Sequence, residues 1–194
     1  MCRFASFFHN PINGDIAISD LNSHSNTERE LKLNLNVWRE GHYLPNDEIE
    51  CRVTDKDRVS QRKCEERLRK KYPKFSNFFN QYVGNKKYKG DLCLSGCDLK
   101  GIKLPESVGR SLYLSGCDLK GIKLPESVGG ALDLSGCDLK GIKLPESVGG
   151  YLDLRGCDLK GIKLPESVGG YLDLRGCDLK GIDIPKRFEN KIIK

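Results

Sequence analysis

The chain has 194 residues, 38% hydrophobic and 31% charged, a balance that places it among folded proteins and excludes wholesale disorder. Its formal net charge of +6 is unevenly placed: residues 1–89 hold 17 Lys and Arg against 12 Asp and Glu, residues 90–194 hold 16 against 15. No run approaches the roughly 18 apolar residues of a membrane span, and the start MCRFASFFHN lacks the apolar core of a signal peptide; a cytoplasmic protein without membrane contact is expected, its nine cysteines as thiols.

Residues 1–89 read as a small α+β domain. Residues 3–8 and 15–19 have strand character around a turn at Pro11 to Gly14. Ser25-x-x-Glu28 is a capping box that opens a short helix to about Leu33, and residues 48–53 read as another strand. A basic helix over residues 58–72 sets Cys64, Leu68 and Tyr72 on one face, and Phe75, Phe78, Phe79 and Tyr82 continue the packing in a second helix.

Four features of this domain bear on chemistry. The opening Met1-Cys2-Arg3 is similar to that of class II glutamine amidotransferases, whose nucleophile is an N-terminal cysteine, but the match is three residues and that sandwich needs more than 89. His24 and His42 with Cys51 would form a Cys-His pair or part of a metal site if they converged, and otherwise read as hydrogen-bonded histidines. The segment WREGHYLP gathers Trp38, Arg39, His42 and Tyr43 before Pro45, a composition suited to a ligand pocket or a packed loop. Residues 56–74 carry nine Lys and Arg against two Glu and one Asp, which suits phosphate contact with nucleic acid or a solvated helix face. No catalytic residue, cofactor or metal is assigned.

From Gly90 to about Ile184 the chain repeats with a 20-residue period, five units without insertion or deletion. In the unit GYLDLRGCDLKGIKLPESVG, Leu152 and Leu154 alternate with Asp153 and Arg155, the period-2 pattern of a half-buried strand. Cys157, Leu159, Ile162, Leu164 and Val168 follow at irregular spacing, with Pro165 and Gly169-Gly170 bending the chain back. Twenty residues cannot hold a strand, a full helix and two loops, so the return limb is expected to be extended or a short 3-10 turn. Stacking the units buries each apolar row against the next and makes one cooperative block.

At these residues the chain resembles the shortest bacterial leucine-rich repeats, L-x-x-L-x-L-x-x-N-x-L-x-x-L-P, with Cys157 where Asn is usual, Gly149 at the first leucine position and the Leu164-Pro165 pair two places late. A second resemblance is to pentapeptide repeats: LDLRG and CDLKG fit x-(D/N)-L-x-G, IKLPE keeps the central leucine, and SVGGY does not fit. Either implies a right-handed parallel β solenoid over residues 90–185. Residues 186–194, charged but carrying Phe188 and Ile192, are expected to cap it.

The repeat also supplies an internal comparison. Among the first four units only four columns differ: Gly90, Arg110, Gly130, Gly150; Asp91, Ser111, Ala131, Tyr151; Cys93, Tyr113, Asp133, Asp153; and Ser95, Ser115, Ser135, Arg155. The other sixteen are copied unchanged, including Lys100, Lys103, Glu106 and Ser107, which have the character of solvent-facing residues. Change confined to the outward strand columns points to a binding face, since solenoids recognise partners on such faces; the plainer reading is drift. The face grows richer in Tyr and Arg toward its C-terminal end, as binding centres do, so Tyr113, Asp133, Tyr151, Asp153, Arg155, Tyr171, Asp173 and Arg175 are the candidate partner-binding residues. The Cys97 to Cys177 column, one cysteine per unit, reads as buried small residues rather than a metal ladder, and Asp98 with Lys100 as turn residues.

The resulting expectation is a non-enzymatic protein-binding repeat protein, of the kind a bacterium or phage uses to block or recruit a host protein. The alternative is a small enzyme or nucleic-acid-binding domain at residues 1–89, with the repeats as its targeting arm.

Overall fold

The computed structural model describes residues 6–10, 16–17, 39–43, 49–51, 58–84 and 86–194, with side chains at residue 10 and from 65 onward, 85 excepted. It divides into two compact units, Met1–Tyr82 and Val83–Lys194.

The first unit holds an antiparallel sheet in the order β2-β1-β3-β4, from β1 (Ser6–His9), β2 (Ile16–Ala17), β3 (Arg39–Tyr43) and β4 (Ile49–Cys51). The two expected strands pair antiparallel, with His9 opposite Ile16, and the turn expected at Pro11 to Gly14 lies outside the described residues. The WREGHYLP segment, expected as a pocket or loop, instead supplies β3, which pairs with both β1 and β4. Its polar run Arg-Glu-Gly-His shows no apolar alternation, so it carried no strand signal. Register sets His42 opposite Glu50 and Cys51 opposite Gly41; the side chains of both, and Cys2, His24, Trp38 and the Ser25–Glu28 capping box, lie outside the described residues.

Helix α1 (Arg58–Lys71) runs beside β4 and stops just before Tyr72-Pro73, where the proline ring disfavours helical backbone in the preceding residue. Helix α2 (Phe75–Tyr82) follows. Leu68, Tyr72, Phe75, Phe78 and Phe79 are buried. Tyr72 meets Phe78 edge-on at 5.4 Å and shares a 2.7 Å hydrogen bond with the Tyr82 hydroxyl, so the polar ends of two packed rings satisfy each other. Burial and that bond push the Tyr82 phenol up to about 12. Arg69, Lys70 and Lys71 are exposed on the last turn of α1, where cations complement the helix dipole.

The second unit is a parallel β solenoid of about five turns. One sheet has six strands: β6 (Leu92–Cys93), β8 (Leu112–Tyr113), β10 (Leu132–Asp133), β12 (Leu152–Asp153), β14 (Leu172–Asp173) and β15 (Ile192–Ile193). The other has five: β5 (Lys87–Tyr88), β7 (Ser107–Val108), β9 (Ser127–Val128), β11 (Ser147–Val148) and β13 (Ser167–Val168). Every pairing in both sheets joins residues 20 apart. The return limb is thus a pair of turns followed by a second short strand, and each turn is closed by a backbone bond such as Cys157 N to Leu154 O and Ile162 N to Leu159 O.

The same frame runs past both ends of the repeated text. Tyr88 pairs in register with Val108 at the head of the valine column, and Phe188, 20 residues beyond Val168 but in a 3-10 turn, is buried as Tyr88 is. Larger rings thereby close a row that elsewhere needs only valine. Ile192 continues the Leu172 column as an additional strand, so residues 186–194, entered through a 3-10 turn at Lys186–Phe188, carry the frame into a sixth rung. Arg187 donates to Pro165 O, and Lys191 Nζ to Val168 O at 2.7 Å, satisfying carbonyls at the open edge of β13.

Between the rungs Leu152, Leu154 and Leu159 are wholly buried, with Leu164, Val168 and Cys157 nearly so. Two glycine columns let the coils close this far. At Gly149 an added Cβ would fall inside the carbonyl oxygen of Gly129 on the preceding rung, while Gly156 turns the chain at φ +69, a left-handed conformation that favours glycine. Gly149→Ala is therefore expected to lower stability by about 1–3 kcal/mol or more through overpacking against backbone that cannot yield. Lys140→Ala, on the exposed turn, should fall within about 0.5 kcal/mol of the parent; urea unfolding of the two variants checks the difference.

Candidate functional site

The six-stranded sheet carries the outward columns expected to bind. Strand alternation turns residues 113, 133, 153 and 173 away from the leucine core, and parallel in-register pairing stacks them about 4.8 Å apart. Three of the four are aspartates. Like charges directly opposite one another on neighbouring strands destabilise a sheet, so this column needs cations or hydrogen-bond donors.

Those partners are the residues two places on. Asp133 Oδ1 accepts the Ser135 amide and hydroxyl at 2.9 and 2.7 Å. Arg155 grips Asp153 through Nε at 2.9 Å and Nη2 at 2.6 Å, and its Nε lies 3.7 Å from Asp173 Oδ2 one rung further. Arg175 holds Asp173 in the same way, Nε at 3.0 Å and Nη2 at 2.6 Å. The Tyr151 hydroxyl crosses a rung to donate to Asp173 Oδ2 at 2.6 Å. A bidentate guanidinium and a phenol thus converge on one carboxylate, the strong form of charge-assisted bonding.

The consequence is that Asp153 and Asp173 are not solvent-facing: they are 4% and 0% exposed. Arg175 holds the Asp173 carboxyl well below the usual carboxylate range, helped by Tyr151 and opposed by burial. Burial first, and then the bond to Asp173, push the Tyr151 phenol up to about 12. What remains open to a partner is the outer edge of each arginine, whose side chains are 47% and 53% exposed, and Tyr171, at 59% the one exposed large hydrophobic among the described residues. Tyr113 and Asp133 are half-buried. At the first rung Cys93 occupies the outward column and is disulfide-bonded, which corrects the expectation of thiols throughout.

In the sequence Tyr, Asp and Arg stand as separate surface residues, and the one signal of their pairing is that Arg replaces Ser at 155 and 175, in the two rungs that extend the aspartate stack.

The other singled-out features serve the fold. Cys117, Cys137, Cys157 and Cys177 each donate Sγ–H to the carbonyl of Leu94, Leu114, Leu134 and Leu154 on the preceding rung, at 3.0–3.2 Å. Burial pushes these thiols up, to about 11 at Cys157, so they stay protonated and able to donate. Asp98 and its copies accept the amide two residues on, as Asp158 does from Lys160 at 2.9 Å, which closes each turn with a side chain. The shallow hollows between rungs, such as the one lined by Ile122, Leu124, Pro125 and Leu144, are bordered by Lys123 with Glu126 and Lys143 with Glu146, pairs that neutralise each other. Among the described residues no cluster of His, Cys, Asp or Glu could hold a metal ion, and no helix is long and apolar enough to cross a membrane.

No family model, curated protein or solved structure matches this chain.

Because its folded pKa is depressed, Asp173 contributes stability that is present above its unfolded value of about 3.9 and is lost as pH falls toward the folded one. Thermal melts between pH 5 and 2 should show the parent losing stability below about pH 4, whereas Asp173→Asn starts lower at pH 7 and changes less across that interval.

Proposed function

We propose that this protein is a non-enzymatic, leucine-rich-type recognition module that binds another protein through the outward face of its last two full rungs. The observation that carries the reading is the confinement of change. Sixteen positions of the unit are copied without alteration through four rungs, and substitutions fall only in the outward strand columns and the residue that opens them. The Tyr151, Arg155, Tyr171 and Arg175 side chains then gather where the columns are richest. Rigid aromatic and guanidinium groups are the types that contribute most at protein interfaces. Held by Asp153 and Asp173, both arginines lose little side-chain freedom on binding, which favours association.

For the leucine-rich form of the coil, the cysteine column supports the reading: from the position that asparagine holds in the repeat pattern, four of its five thiols, Cys117, Cys137, Cys157 and Cys177, bond back to the preceding rung. The pentapeptide form fits three sides, where Leu154, Leu159 and Leu164 are buried five residues apart, and fails on the fourth, where Val168 is buried and Gly169 follows.

A direct alanine replacement of the arginines would strand two buried carboxylates, so the test uses a face that the fold already carries. Rung two presents Ser111, Tyr113 and Ser115. Installing that set on rungs four and five (Tyr151→Ser, Asp153→Tyr, Arg155→Ser, Tyr171→Ser, Asp173→Tyr, Arg175→Ser) should keep the circular dichroism spectrum and cooperative melt. It should also lower capture of lysate proteins by immobilised protein at least tenfold for the specific species. Unchanged capture of the same species would overturn the assignment.

A further inference from the structure

The molecule contains its own example of a bound carboxylate, and a second copy of part of that donor set with no carboxylate in it. On rungs four and five, Asp173 Oδ2 receives the Tyr151 hydroxyl at 2.6 Å and lies 3.7 Å from Arg155 Nε, both from the preceding rung. One rung on, Tyr171 and Arg175 repeat Tyr151 and Arg155 in register. The residue that should receive them is at position 193, because Asp173 pairs with Ile193 as Asp153 pairs with Asp173. The Ile193 side chain has no acceptor. Its side chain is half-buried, and Tyr171 stands 59% exposed where Tyr151 is half-buried against its carboxylate.

We infer that Tyr171 and Arg175, over Ile193, form a binding site for a carboxylate side chain of a partner protein, an Asp or Glu presented on an acidic extended segment. This rests on the reading of the strand face as the recognition surface and names the chemistry it recognises. Arg175 keeps its grip on Asp173 through Nε and Nη2, as Arg155 does on Asp153 while still approaching Asp173. A guanidinium held in place and an exposed phenol give a carboxylate one charge-assisted bond and one O–H donor. Ile193 offers an apolar floor that keeps water from one side of the pair.

The site can be filled from within. Ile193→Asp puts a carboxylate at the equivalent position, where it should accept the Tyr171 hydroxyl as Asp173 accepts Tyr151. The experiment uses the full chain and two capped hexapeptides of alternating Glu and Thr or alternating Gln and Thr, read by the Arg175 Nε–Hε resonance in NMR titration. In the parent, the Glu peptide should shift that resonance saturably and the Gln peptide should not. In Ile193→Asp the resonance should move without peptide, the melting temperature should hold or rise, and the apparent affinity for the Glu peptide should fall at least tenfold. Tyr171→Phe, which removes one exposed hydroxyl, should weaken the Glu peptide severalfold with an unchanged melt. Equal responses to Glu and Gln peptides, or a Tyr171→Phe variant that binds as the parent does, would overturn the carboxylate site. Failure here is separable from failure of the face itself: if the rung-two graft abolishes lysate capture while Ile193→Asp leaves it intact, the face stands and the carboxylate inference falls.

Discussion

Everything in the second unit depends on one constraint, that each coil must lie on the last in a register of 20 residues. Backbone amides bond from rung to rung at fixed offsets, Leu152 N to Tyr171 O on one sheet and Gly149 N to Val128 O on the other. At the Gly129, Gly149 and Gly169 corner, neighbouring backbones touch so closely that no side chain fits between them. Given that contact, the leucine rows are forced into alignment, the cysteine thiols meet the carbonyls behind them, and the outward residues stack in columns. Burial of five aliphatic side chains in a rung such as the fourth (Leu152, Leu154, Leu159, Leu164 and Val168), at roughly 1.5–3 kcal/mol apiece, offsets chain ordering only because the register covers each from both sides.

The same register creates the chemistry of the face. Stacking aspartates one above another is unfavourable, and the two rungs that add an aspartate above Asp133 are the two that carry arginine in place of serine. Arg155 and Arg175 therefore have a structural role that leaves room for recognition, since one guanidinium edge neutralises the stack and the other faces water. The stack also has an end. Where Ile193 succeeds Asp173, Tyr171 meets no aspartate on the following rung, while Arg175 keeps its bonds to Asp173.

The repeat made the solenoid legible, because period, strand and glycine turn were each written five times. Its ends were harder to read. Tyr88 and Phe188 keep the 20-residue spacing of the valines but not their residue type, and Ile192 continues the Leu172 column without the surrounding motif. The second strand, Ser147–Val148, is only two residues long, too short for an alternation to register. In the first unit the aromatic helix pair was legible from the spacing of Leu68, Tyr72, Phe75, Phe78 and Phe79, whereas β3 was hidden by its polar composition. Of the candidate site, the residues were found and their bonds were not. Alternation assigns Asp153 and Asp173 to the outer face, but cannot tell that the arginines two places on, in the following turn, fold over them until they are buried.

Deletion across the glycine corner tests the register most directly. Removing residues 130–149 takes out one whole rung and preserves every 20-residue offset; removing 130–148 leaves one extra glycine where adjacent backbones touch. Urea unfolding followed by circular dichroism should give the first variant a single cooperative transition with a lower midpoint than the parent, as a shortened stack requires, and should leave the second without a cooperative transition of the solenoid. Equal stability of the two deletions would contradict the claim that backbone contact at this corner sets the register on which the fold and its face depend.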